Sequence, residues 1–257
     1  MMAVVGWKDG NTFHSELRAV DAPVEPRGAT TKQTTAALLP DGHIAAKVAV
    51  QWLNQSASGQ RSALIETSPT VHRTESADRL RDQLPSAVLS GELLPSCLPK
   101  EGVCSQAFEL TEEHYALLDG DRMIVPLSLM SSWWDDTFKE RERLQDIAFL
   151  NDEDVVETLL FELPEGYTIV SLPTDQDLQI DGLHMTLHSE STAGHVTIIR
   201  TLSVDDGIHD LAQYGEIRDV VRKFADARNQ LLVVQKPAPS EPSQPAEESI
   251  SDALTPE

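Results

Sequence analysis

LFELPEGYTIVSLP, running from Leu160 to Pro173, holds two apolar runs broken at Pro164-Glu165-Gly166 and stopped at Pro173. Proline fixes φ and glycine supplies conformations that other residues resist, so the break reads as a tight reversal. A proline at the end of the second run closes a strand without needing a ladder donor. The stretch therefore reads as a hairpin with Tyr167 packed near its turn.

Neighbouring segments extend the pattern. DVVETLLFEL, GYTIVSL, LHMTLHS and HVTIIRTL read as four short strands separated by PEG, PTDQDLQIDG and ESTAG, an antiparallel meander. Upstream, Pro40-Asp41-Gly42 joins Thr34–Leu39 to His43–Leu53. In the second arm Ile44, Ala46, Val48, Val50 and Trp52 share one parity and line one strand face. VCSQAFEL and ALLDGDRMIVPL add strands, the latter turning at Asp119-Gly120. Residues 56–85 change period: Leu80 and Leu84 stand four apart, Thr74 reads as a helix start and Pro85 as its stop. SSWWDDTFKERERL reads as a short amphipathic or irregular segment. Near the end, Leu211, Tyr214, Ile217, Val221 and Phe224 form a helical stripe that Asp210 can cap, followed by the strand LLVVQ.

The sum is an α+β, mainly β fold. Antiparallel sheets form a sandwich-like body with one helical insert and one late helix. Four parts are expected: an irregular N-terminal segment (1–29), a hairpin-plus-helix sub-domain (30–104), an antiparallel β domain with closing helix and strand (105–236), and a disordered acidic tail (237–257) rich in Pro, Ser and Glu.

The chain has 257 residues and a net charge of −22. Phosphate backbones and anionic lipid repel such a surface, which argues against nucleic-acid partners and membrane binding. No apolar run approaches the roughly 20 residues of a membrane span, and MMAVVGWKDGNTFHSEL has no basic, then apolar, leader pattern. Cys97 and Cys104, in PSCLPKEGVCSQ, fit neither a zinc knuckle nor a CxxC pair. Without an export signal they are expected to be reduced thiols, although a small disulfide loop is the alternative in an oxidising compartment.

These passages, in this order, resemble the region that follows the transglutaminase-like core in certain bacterial proteins, a C-terminal β-rich domain of unknown function. The resemblance rests on ALLPDGHIAAKVAVQW, on MIVPLSL followed by RERLQDIAF, on FELPEGYTIVSLP, and on Tyr214, Arg218 and Phe224 before LLVVQK. It departs from that pattern at Leu144-Gln145-Asp146-Ile147, where a proline and an acidic residue are expected. The resemblance implies a scaffold role for LFELPEGYTIVSLP and a transglutaminase-like domain as partner, on the same or a neighbouring chain. It places the Cys–His–Asp catalytic set upstream, so no catalytic residue carries over, the chain is not expected to be an enzyme, and no cofactor is expected. If Met1 is the true start, the cytoplasm is the default location; as part of a longer chain, the cell envelope or exterior is.

Three constellations remain. His184 and His188 lie four apart on one strand, and His195 opens the next, so the three imidazoles are candidate ligands for a metal. The simpler reading puts Leu183, Met185 and Leu187 in the core and the histidines in solvent. Trp133-Trp134-Asp135-Asp136 offers an aromatic platform for carbohydrate or peptide, or an interface. A cysteine-dependent hydrolase or transferase would use Cys97 or Cys104, but their neighbours supply no activating base.

Overall fold

The computed structural model describes residues 2–9 and 12–19 as backbone, and 26–98, 102–131, 138 and 140–236 in full. The tail and the Trp133-Trp134 pair lie outside the described residues.

The N-terminal stretch expected to be irregular contains a two-stranded antiparallel hairpin, β1 (Met2–Asp9) with β2 (Thr12–Ala19). Then follow β3 (Gly28–Leu38), β4 (Ile44–Leu53), α1 (Asn54–Glu66) and α2 (Pro69–Gln83). After them come β5 (Val88–Leu98), β6 (Val103–Glu112), β7 (Leu117–Asp119) and β8 (Arg122–Pro126). Next are β9 (Ile147–Phe149), β10 (Glu153–Glu162), β11 (Thr168–Ser171), β12 (Gln176–Ile180) and β13 (Leu183–Thr192). The chain closes through β14 (His195–Val204), β15 (Gly207–His209), a 3-10 turn (Leu211–Gln213), α3 (Tyr214–Ala227) and β16 (Leu231–Gln235).

Eight strands form one sheet in the order β12-β13-β14-β10-β3-β4-β6-β5, and β11-β16-β8-β7 form a second. The fold is mainly β, with the sandwich-like pairing of two sheets expected from the pattern. Residue 105 lies inside β6, which pairs with β4 and β5, so the large sheet continues across the position expected to be a domain seam.

The decisive stretch behaves differently from its local reading. β10 and β11 do not pair with each other. β10 is hydrogen-bonded to β14 on one side and, in parallel, to β3 on the other. β11 pairs with β16 in the second sheet. Pro164–Tyr167 does turn, with Tyr167 N–H donating to the Pro164 carbonyl at 3.1 Å. That turn carries the chain from one layer to the other rather than back along itself. The reason is competition: both edges of β10 are already taken, by β14 and β3, along all ten of its residues. The expected meander is broken at the same place, and Gln176–Ile180, assigned to a connection, forms β12 beside β13.

The β3–β4 reversal follows its turn chemistry. Gly42 has φ +84, and a Cβ there would lie 2.7 Å from the Ala116 carbonyl oxygen, so both conformation and space require glycine. At the far end of β4, Asn54 takes φ 54 and breaks the strand into α1, its amide donating to the Arg27 carbonyl at 2.9 Å. Asparagine tolerates this left-handed geometry better than most residues. The second helix begins five residues before Thr74, at Pro69, because Ser68 caps it by accepting from Val71 N–H and proline suits the first helical turn.

The buried face of the large sheet is covered in parts. Met123, Val125, Leu232 and Val234 of the second sheet pack on Ala36, Ile44, Leu159, Phe161 and Ile198. Tyr214, Ile217, Val221 and Phe224 of α3 pack on Val155, Met185, Leu202 and Val204. The expected stripe is thus the docking face of α3, except for Leu211, which stays 36% exposed. Asp210 caps as expected, accepting from Ala212 N–H at 2.8 Å in a capping box with Gln213.

Candidate functional site: a charged brace and the cleft beside it

Each strand of the large sheet alternates inward and outward residues, and three charged side chains fall on the inward parity. Lys32 (β3), Glu157 (β10) and Arg200 (β14) stand in direct register, Lys32 opposite Glu157 and Glu157 opposite Arg200. They sit where the two apolar cores meet. The Arg200 and Glu157 side chains are 1% and 3% exposed, and Lys32 is 16% exposed.

Every arm of this brace is engaged. Lys32 Nζ donates to the Leu129 carbonyl at 2.8 Å and Ser131 Oγ at 3.1 Å, and lies 3.3 Å from Glu157 Oε1. Ser131 N–H donates to the same Oε1 at 2.9 Å. Arg200 Nε donates to Glu157 Oε2 at 3.1 Å, and its Nη2 donates to that oxygen and to the Ser131 carbonyl. The guanidinium lies over the Phe224 ring at 5.2 Å, a cation–π contact. Burial pushes the Glu157 carboxyl upward, but the Lys32 and Arg200 charges and the bonds from Ser131 and Arg200 outweigh it and hold it at about 2. Burial pulls the Lys32 ammonium down, Glu157 opposes that, and Arg200 adds to it; the net is a lowered value. Buried charges persist only when paired in this way.

Beside the brace lies a cleft. Its floor is Val48, Val50, Trp52, Phe108 and Lys32, its helical wall Gln60, Ser76, Arg79 and Leu80, and its volume about 480 Å³. It continues past Lys32, Arg79 and Ser131 into a second hollow of about 310 Å³. The helices that form this wall, α1 and α2, are weakly amphipathic, each burying fully only one residue, Ala57 and Ala77.

The cysteines are not reduced thiols. Cys97 and Cys104 face each other across β5 and β6 and form a disulfide. A four-residue connection between paired strands brings them together, which the loop composition alone did not reveal. Closing so short a loop is worth about 2 kcal/mol. Reduction by dithiothreitol is expected to lower the unfolding free energy from urea titration by that amount, while a Cys97→Ala/Cys104→Ala variant should be indifferent to the reductant.

The histidines take separate places. Leu183, Met185 and Leu187 are buried, and His184 and His188 face outward. His184 Nε2 contacts Asp177 at 2.8 Å, and His188 Nδ1 contacts Asp175 at 2.8 Å. The hydrogen bonds from His188 and from Ser189 N–H hold Asp175 below the usual carboxylate range. His195 pairs with Thr192, and His188 with Ile199, so the strands carry His195 away from the other two. Among the described residues no three His, Cys, Asp or Glu side chains are grouped to hold a metal, and no helix is long and apolar enough to cross a membrane.

Comparison with known proteins places part of this architecture. Residues 121–234 match DUF3858, a domain of unknown function with a solved structure. The match spans β8 to β16. Glu157 and Arg200 lie inside it and Lys32 outside, so the brace ties the matched domain to the preceding strands through the parallel β3–β10 pair. Among solved structures, the chain is similar to a crystal structure from Parabacteroides distasonis ATCC 8503 described as a "putative protease", with 12% identity and a TM-score of 0.38. The likeness covers 46% of this chain and 24% of that one, so the matched part spans about a quarter of that protein's length. No curated protein matches.

Proposed function

We propose that the chain is a non-catalytic accessory module that packs against a transglutaminase-like domain, on its own or a neighbouring polypeptide. The observation that carries this reading is the state of its reactive groups. The two thiols are bonded to each other, and the buried Lys32, Glu157 and Arg200 have their donors and acceptors engaged by the fold. Glu157, held ionised at about 2, is no general acid at neutral pH. The match of residues 121–234 to a domain of unknown function, and the order of motifs along the chain, support the same reading. A disulfide of this kind persists in oxidising compartments, which supports an exported or envelope setting. The disulfide also argues against a cysteine-dependent hydrolase.

The test is immunoprecipitation from source cells with an antibody against this chain, followed by sizing and peptide sequencing. The expected result is a transglutaminase-like sequence, either fused to this chain in a larger polypeptide or recovered with it in fixed ratio. Recovery of neither, or thiol-dependent amide hydrolysis by the purified chain, would overturn the reading.

A further inference from the structure

We propose that the cleft between α2 and the large sheet is a binding site for an amphiphilic carboxylate, a ligand with an apolar body and one anionic head. This goes beyond the accessory role and does not depend on it.

The space itself is the first ground. Protein interiors are close-packed, and gaps beside apolar side chains cost stability. Here Val48, Val50, Trp52, Phe108 and Leu80 line an open volume of about 480 Å³. That volume falls in the range of small-molecule sites, roughly 300–1,000 Å³, and polar side chains share the lining with the apolar ones.

Charge is the second ground. The chain carries −22 overall, yet the charged residues lining this cleft are Lys32, Arg79 and Glu157. Glu157 is paired with Lys32 and with Arg200, which does not itself line the cleft, so the floor presents no uncompensated negative charge and Arg79 is the unmatched charge of the lining. Arg79 stands at the rim, its side chain 80% exposed and 3.9 Å from Glu75, which is itself 55% exposed. So weak a surface pair leaves the guanidinium available to a carboxylate. Gln60, Ser76 and Gln106 add neutral hydrogen-bonding groups around the apolar centre. An anion at the Arg79 end, with its body on Trp52 and Phe108, matches both features.

The experiment is calorimetric titration of the full chain with decanoate, below its micelle concentration, and with decylamine as the cationic counterpart. Decanoate should bind one to one and decylamine not at all. Arg79→Glu should weaken decanoate at least tenfold, and Ser76→Phe, which fills the cleft from its wall, should abolish binding. Both positions are on a solvated helix, and unchanged melting midpoints would confirm folding; should Ser76→Phe melt early, Gln60→Phe fills the same space from α1. Absence of saturable decanoate binding, equal binding of decylamine, or wild-type affinity in the Arg79 and filled variants would overturn the proposal.

Discussion

Glu157→Ala is expected to cost about 3–5 kcal/mol, the penalty for stripping the partner from a buried charge. Against a typical total stability of about 5–15 kcal/mol, that is enough to leave a substantial unfolded fraction. The loss should exceed that of an ordinary ion pair because Glu157 serves two cations. Its removal leaves the Lys32 ammonium and the Arg200 guanidinium on either side of β10 with no anion between them, and frees Ser131 N–H as well. Urea midpoints measure this. Replacing all three together, as Lys32→Met, Glu157→Leu and Arg200→Met, should cost far less than Glu157→Ala alone, since no buried charge is left unpaired. A Glu157→Ala variant within about 1 kcal/mol of the parent would contradict the brace.

The same carboxylate sets an acid limb. Its folded value, about 2, lies below the unfolded carboxylate value of about 4.3. A depressed carboxyl contributes stability that is fully present above the unfolded value and is lost as pH falls toward the folded one. Stability should therefore decline between about pH 4 and pH 2, and Glu157→Gln should flatten that part of the profile.

The brace was partly visible in the sequence. Val155, Glu157, Leu159 and Phe161 share one parity, as do Val196, Ile198, Arg200 and Leu202. A charge of each sign on an apolar face is a signal that a partner exists. Lys32 gave no such signal, because Thr30 and Thr34 on its own face and Thr31, Gln33 and Thr35 on the other make the strand look solvated from either side. Nor does local pattern reveal that β10 runs parallel to a strand some 120 residues upstream. The elements legible from the chain were those whose information is local: the Pro40-Asp41-Gly42 reversal, the alternating arm of β4, the stripe and cap of α3. The hairpin reading of Leu160–Pro173 failed for the complementary reason. Turn chemistry states that the chain reverses there, while partner choice is decided by which other strands offer a longer edge.

Phe224→Ala carries the second large effect, about 3–5 kcal/mol for a fully buried aromatic. Phe224 is 1% exposed and belongs to the core under α3 with Ile217 and Val221. Its ring also faces the Arg200 guanidinium at 5.2 Å, so the truncation removes apolar volume and a layer that shields the brace from water. The two contributions separate by choice of substitution. Phe224→Leu retains most of the volume and should cost only about 1–2 kcal/mol, the share of the cation–π contact and imperfect refilling. In the background of the triple apolar replacement of the brace, Phe224→Leu should fall toward the ordinary cost of a volume change, because the cation it faced is gone. Phe224→Ala should remain severe in that background, since the cavity is unchanged. If Phe224→Leu costs the same with and without Arg200, helix α3 is held by apolar packing alone, and the aromatic ring adds nothing to the link between the helix and the sheet.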